Sequence, residues 1–158
     1  MTFMKRSFLL LLLMIVTVIT KAAPAADYGK VVPVPDKIVL NAKGGAYALS
    51  ASTGIYYTAG NADMERNARF LAQYIKDMTK FSLTPSAVKG KAKGGISLVL
   101  NAKAKLAPEA YVLTVDKKGV TITGKTAAGV FYGIQTLRKA LPVLQSAEAV
   151  ELPAARVE

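Results

Sequence analysis

The chain contains no cysteine and no histidine. Without cysteine there is no disulfide, no thiolate metal site and no thiol nucleophile. Without histidine, the Ser-His and Cys-His nucleophile arrangements fall away too. Any acid–base chemistry would rest on Asp, Glu, Lys or Tyr. Acids are scarce as well: 10 Asp and Glu among 158 residues, with no adjacent Asp-Glu pair. Apolar residues make up 52% of the chain. That amount, at this length, suits one domain with a real core rather than two.

No run is long enough to cross a bilayer. The longest apolar stretch, "SFLLLLLMIVTVI" over Ser7–Ile19, falls short of the roughly 20 residues a transmembrane helix needs. It follows Lys5 and Arg6 and precedes the small residues of "TKAAPAADYGK". A positive head, an apolar middle and a small-residue end are the order of a secretory signal peptide. Ala23 and Ala25 form an A-x-A site, so cleavage is expected between Ala25 and Ala26, with the bond after Ala22 as the alternative. The expected segments are a signal peptide over 1–25, an α/β domain over 26–145 and a linker over 146–158. The absence of cysteine excludes a lipoprotein anchor at this site. No membrane association is expected after cleavage, and the mature chain is expected to be periplasmic or extracellular.

Removing residues 1–25 removes three bases and no acids, leaving 18 basic against 10 acidic residues. A basic excess can serve nucleic acid, membrane surface or acidic glycans. Much of it lies in "VKGKAKGG", where Lys89, Lys91 and Lys93 alternate with small residues. No aromatic residue interleaves to stack bases, so the segment reads as a solvated turn and no nucleic-acid partner is expected.

Short apolar or β-branched runs bounded by Gly, Asn and Ser predict strands near 37–41, 46–51 and 54–59. The period then changes. Met64, Ala68, Leu71, Ile75 and Met78 recur at spacings of four and three, predicting one buried face of a helix over 61–79 capped by Asn61. A weak edge strand near 81–87, marked by Pro85, and a stronger one near 95–101 follow. Period-2 alternation over Tyr111–Asp116 and Val120–Thr123, around Lys117-Lys118-Gly119, predicts a hairpin. A second helix, capped by Thr126 and stopped by Pro142, buries Val130, Ile134, Leu137 and Leu141, with Phe131 widening that face. The fold class expected is α/β in a layered α+β arrangement. A mixed, largely antiparallel sheet of about five to seven strands would carry two helices packed on one face.

One stretch imitates a nucleotide site. "GVTITGKT", Gly119–Thr126, fits the Gly-x4-Gly-Lys-Thr pattern of a P-loop. A working P-loop uses its four variable residues as a loop whose N–H groups wrap a phosphate. Here those residues, Val120–Thr123, are β-branched and alternate as a strand. No nucleotide and no other cofactor is therefore expected, and no metal site.

The stretch "EAYVLTVDKKGVTITGKTAAGVFYGIQTLRKALP" resembles the N-terminal accessory domain of family 20 glycoside hydrolases, the β-N-acetylhexosaminidases. The residues that carry the likeness are Glu109, Tyr111 and Leu113, then Ile122 and Gly124, then Gly129, Gly133, Gln135, Thr136 and Leu137. The earlier "VPVPDKIVLN" and the helix from Asn61 resemble the same domain. The resemblance implies a parent enzyme that removes terminal β-linked GlcNAc or GalNAc with an adjacent Asp-Glu pair in a (β/α)8 barrel. In that chemistry Glu is the general acid, and Asp orients the substrate's own acetamido nucleophile. It implies the barrel as partner in the same polypeptide, and no catalytic residue in this chain. The alternatives are a stand-alone secreted glycan- or polymer-binding module, or the accessory domain of another glycosidase family.

Mass spectrometry of the exported protein tests the leader. The expected mature species begins at Ala26, and one beginning at Met1 or Thr2 would overturn the reading.

Overall fold

The computed structural model describes residues 22–90, 92 and 94–158. The leader up to residue 21, and Lys91 and Lys93 of the basic segment, lie outside the described residues. Nine strands and two helices follow in the order β1 (Ile38–Leu40), β2 (Ala46–Leu49), β3 (Ile55–Thr58), α1 (Ala62–Thr79), β4 (Pro85–Val88), β5 (Ile96–Leu100), β6 (Tyr111–Asp116), β7 (Gly119–Gly124), α2 (Ala127–Ala140), β8 (Val150–Pro153) and β9 (Ala155–Val157).

Seven strands form one mixed sheet, ordered β1-β9-β6-β7-β5-β3-β4. The pairings from β1 through β7 are antiparallel and those from β7 through β4 are parallel. The parallel half exceeds what alternation alone had predicted. It arises because α1 carries the chain from the end of β3 back to its start, so β4 must run in the same direction. β2 and β8 pair separately, antiparallel, as a small second sheet. Along the main sheet the register aligns Leu113 with Ile122, Ile122 with Leu98, and Ile96 with Ile55. All five are buried on the face that meets the helices. By strand alternation, Ser97, Thr114, Thr121 and Arg156 point to the opposite face.

The segment 146–158 is not a linker. It holds β8 and β9, so the domain runs through Val157 rather than ending near 145. Val150, Leu152, Ala155 and Val157 are buried and alternate with the exposed Glu151 and Arg156. β9 sits between β1 and β6 and bonds to both, which makes it an internal strand. The small sheet also holds the start of the described chain. Glu151 N–H donates to Pro24 O at 2.9 Å, and Ala26 N–H donates to Glu151 O at 2.8 Å. Cleavage after Ala25 would remove the first of these bonds; cleavage after Ala22 would keep both.

Helix α1 begins where Asn61 Oδ1 accepts from Met64 N–H at 3.0 Å, with Asp63 and Glu65 in the positive first turn. It ends at Lys80, which is left-handed at φ 66°. Of the predicted stripe, Met64, Ala68, Leu71 and Ile75 are fully buried, whereas Met78, in the last turn, is only partly buried. Asn67, buried on the same helix, donates from Nδ2 to Ala127 O at 2.8 Å and so ties α1 to the first turn of α2. Helix α2 begins at the cap Thr126, whose hydroxyl accepts from Gly129 N–H.

Three glycines let α2 lie close on the sheet. A Cβ at Gly124 would stand 2.6 Å from Val130 N. A Cβ at Gly129 would press into Ala110 O, and one at Gly133 into the Ile122 side chain, with the Tyr111 ring 3.1 Å away. Contacts that short cannot relax when the neighbour is backbone.

The sign of a substitution decides whether this approach matters. Ala at Gly129 should gain about 1 kcal/mol of helix propensity. Overpacking against fixed backbone should cost about 1–3 kcal/mol. Gly129→Ala is expected to be net destabilising, read as a lower urea midpoint at unchanged m-value. A raised midpoint would show that α2 does not need the close contact.

Candidate functional site

The Gly119–Thr126 match does not make a phosphate cradle. Val120–Thr123 lie inside β7, bonded to β5 on one side and β6 on the other. The Val120 N–H donates to Gly95 O at 2.9 Å. Amides committed to a ladder do not converge on an anion. Gly124 is buried, Lys125 is exposed, and Thr126 is occupied as the cap of α2.

Asp63 and Glu65 hold Arg66 and Arg69 at 2.7 and 2.6 Å in exposed ion pairs along α1. Among the described residues, no three His, Cys, Asp or Glu side chains cluster as a metal site.

Among the described residues, two surface concavities stand out. A cleft of about 690 Å³ opens on the polar face of the sheet near Gly94, Ser97, Thr114 and Thr121. A larger groove of about 810 Å³ runs beside α2. Tyr132, Gln135 and Lys139 of α2 form one wall. The extended segment Val31–Asp36 forms another, held by a bond from Lys139 Nζ to Val32 O. Arg156 and Glu158 close the groove, paired with each other at 2.6 Å.

At the groove's base the Tyr111 and Thr136 hydroxyls share a 2.6 Å hydrogen bond. Burial pushes the Tyr111 hydroxyl above its ordinary value, the Thr136 bond pulls it back, and Asp36 pushes it up again. Tyr111 is therefore a protonated structural tie and not a base at neutral pH. Of the residues that carried the family likeness, the structure brings Tyr111, Gln135 and Thr136 together here, with Glu109 at the rim. Gly129 and Gly133 instead serve packing.

Sequence reasoning missed the aromatic ridge beside the groove. Phe131, predicted to widen the buried face of α2, is only half-buried. Its ring meets Phe70 edge-on at 6.1 Å and Tyr132 at 6.2 Å. Phe70 and Tyr132 are exposed. The available signal was an aromatic on the solvent side of each helix. The apolar "VVPVP", with no periodicity to bury it, was a second.

Isothermal calorimetry with Mg-ATP tests the P-loop geometry directly. The expected result is no binding, and a folded Lys125→Ala variant with unchanged midpoint. Micromolar binding lost on that substitution would overturn the assignment of β7.

Against known proteins, the sequence model described as "Glycosyl hydrolase family 20, domain 2" matches residues 29–158. A beta-hexosaminidase of Porphyromonas gingivalis is 30% identical over 132 residues, covering 82% of this chain and 16% of that protein. The solved GH20 beta-N-acetylhexosaminidase of Streptomyces coelicolor A3(2) superposes with a TM-score of 0.70 at 29% identity, covering 86% of this chain and 27% of that one. The N-acetyl-beta-hexosaminidase of Streptomyces plicatus gives 0.70 at 30% identity, over 86% and 28%. The chain thus spans about a quarter or less of these relatives, and the match takes in β8 and β9 with the rest of the sheet. With its mixed seven-stranded sheet, two helices on one face and this matched span, the chain belongs to glycosyl hydrolase family 20, as its domain 2.

Proposed function

We propose that this chain is the non-catalytic accessory domain of an exported β-N-acetylhexosaminidase, and that it supports a catalytic domain which does the hydrolysis. The observation that carries the reading is the domain-2 match across residues 29–158. Glycoside hydrolysis of the family's kind needs a general acid beside a group that positions the substrate's acetamide, both in one pocket. The groove beside α2 offers a tyrosine held protonated and bonded to Thr136, and an Arg156–Glu158 ion pair, with Asp36 and Glu109 on its lining. Export is part of the proposal and is supported by the Lys5-Arg6 head, the apolar stretch and the Ala23–Ala25 site.

The purified 158-residue chain is expected not to cleave a chromogenic N-acetylglucosaminide. The reading frame beyond residue 158 is expected to encode alternating strands and helices with a tandem Asp-Glu at the end of one strand. Adding that segment is expected to bring cleavage. Turnover by the short chain alone would sink the accessory-domain reading. Turnover of an unrelated glycoside by the long polypeptide would replace the substrate assignment.

A further inference from the structure

We propose that the polar face of the main sheet, the side away from both helices, carries a binding site for a neutral oligosaccharide in the cleft over Ser97, Thr114 and Thr121. Only the choice of sugar, an oligomer of N-acetylhexosamine, rests on the hexosaminidase reading. The cleft holds about 690 Å³, inside the roughly 300–1,000 Å³ range of small-molecule sites. Its floor is a single register row. Tyr56 on β3 stands beside Ser97 on β5, Ser97 beside Thr121 on β7, and Thr121 beside Thr114 on β6. Strands about 4.8 Å apart thus set four hydroxyl-bearing side chains in line across the sheet. Ser86 on β4 and Arg156 on β9 extend the row, still polar.

Three of these hydroxyls are unpaired. Among the described residues, those of Ser97, Thr114 and Thr121 have no hydrogen-bond partner in the protein, whereas those of Thr58, Thr126 and Thr136 are each bonded. Ser97 is only 4% exposed. Yet among the described residues no side-chain polar atom is sealed without a partner, so its hydroxyl opens on the cleft it lines. A hydroxyl so placed needs a partner that enters from outside. Water meets that need one group at a time. A sugar meets it for all three at once, since its hydroxyls, like these, both donate and accept.

Charge and an aromatic ring narrow the occupant. The Asp116 carboxylate accepts from the Lys118 N–H at 2.7 Å, and both residues line the cleft. One acid and one base select neither an anion nor a cation, and the carboxylate keeps lone pairs for a sugar hydroxyl. Tyr56 supplies the apolar contact. A Cβ on Gly95, at the cleft's edge, would stand 2.9 Å from the Tyr56 ring, and one on Gly54 closer still. The two glycines let this half-buried ring lie down along the sheet. A ring laid flat beside a row of hydroxyls fits both aspects of a pyranose, its C–H face and its polar edge. A protein partner would call for an apolar centre. Of the large apolar side chains exposed among the described residues, none lines this cleft.

Chitopentaose titrated into the purified 158-residue chain tests the site. A saturable isotherm with a Kd on the order of 0.1 mM is expected. Thr114→Val combined with Thr121→Val removes two hydroxyls while keeping shape and strand preference. This double variant should hold its thermal midpoint within about 2 °C and bind about tenfold more weakly. Tyr56→Ala should weaken binding by a similar factor. Phe70→Ser, at an exposed aromatic on the helix face, should leave it unchanged. Amide NMR of the unaltered chain decides the matter even where a variant fails to fold: the sugar should shift Ser97, Thr114, Asp116 and Thr121. No binding up to about 10 mM, shifts confined to the helix face, full affinity in the double variant, or a loss from Phe70→Ser overturns the proposal. Tighter binding of inorganic polyphosphate than of chitopentaose overturns it too, and gives the cleft to an anion. Hydrolysis is read separately. A long polypeptide that cleaves the hexosaminide while the chain ignores chitopentaose loses this inference alone. A chain that binds the sugar, in a frame that encodes no hydrolase, keeps it and loses the hexosaminidase reading.

Discussion

The distance between α2 and the sheet sets the rest of the domain. It is fixed by what is missing at Gly129 and Gly133, where a side chain would strike Ala110 O and Ile122. With the helix this low, the Tyr111 hydroxyl reaches Thr136 at 2.6 Å and Asn67 reaches across to Ala127 O at 2.8 Å. The buried polar groups are then satisfied by partners on other elements, which penalises any alternative placement of either helix. Glycine costs helix propensity of about 1 kcal/mol at each site. The apolar surface sealed under α2, where Val130, Ile134 and Leu137 are fully buried, outweighs that loss.

Local pattern made most of this fold legible. The alternation of Tyr111–Asp116 and Val120–Thr123 and the stripe Met64–Ile75 each encode a period and a buried face. The structure uses both as written. Long-range pairing was less visible. That β5 lies between β3 and β7, all parallel, depends on pairings between strands far apart in the chain, and no single segment carries that information. The ending "VELPAARVE" did alternate, but its runs are three and four residues long and interrupted by Pro153. Only its position between β1 and β6 turns a weak pattern into an internal strand.

The surface was less legible than the core. Buried positions follow from periodicity because the core has one geometry to satisfy. An exposed aromatic such as Phe70 or Tyr132 obeys no period, and its meaning lies in neighbours brought together by the fold. The P-loop match is the converse case. Gly119, Gly124, Lys125 and Thr126 stand at the right spacing, yet the residues between them are paired on both sides. Spacing along the chain stated the pattern, and the hydrogen-bond ladder decided what it could do.

The placement of β9 has a consequence for how the molecule is made. Among the described residues, β1 at residues 38–40 has no sheet partner except β9 at residues 155–157. On the ribosome, the first strand of the main sheet therefore waits, unpaired, until nearly the whole domain has been synthesised. The exposed Val39 and Leu40 stay sticky through that interval, when an open strand edge is most apt to find a wrong neighbour. The β3–α1–β4 unit can form early from local contacts, so assembly should proceed from the parallel half toward the antiparallel edge.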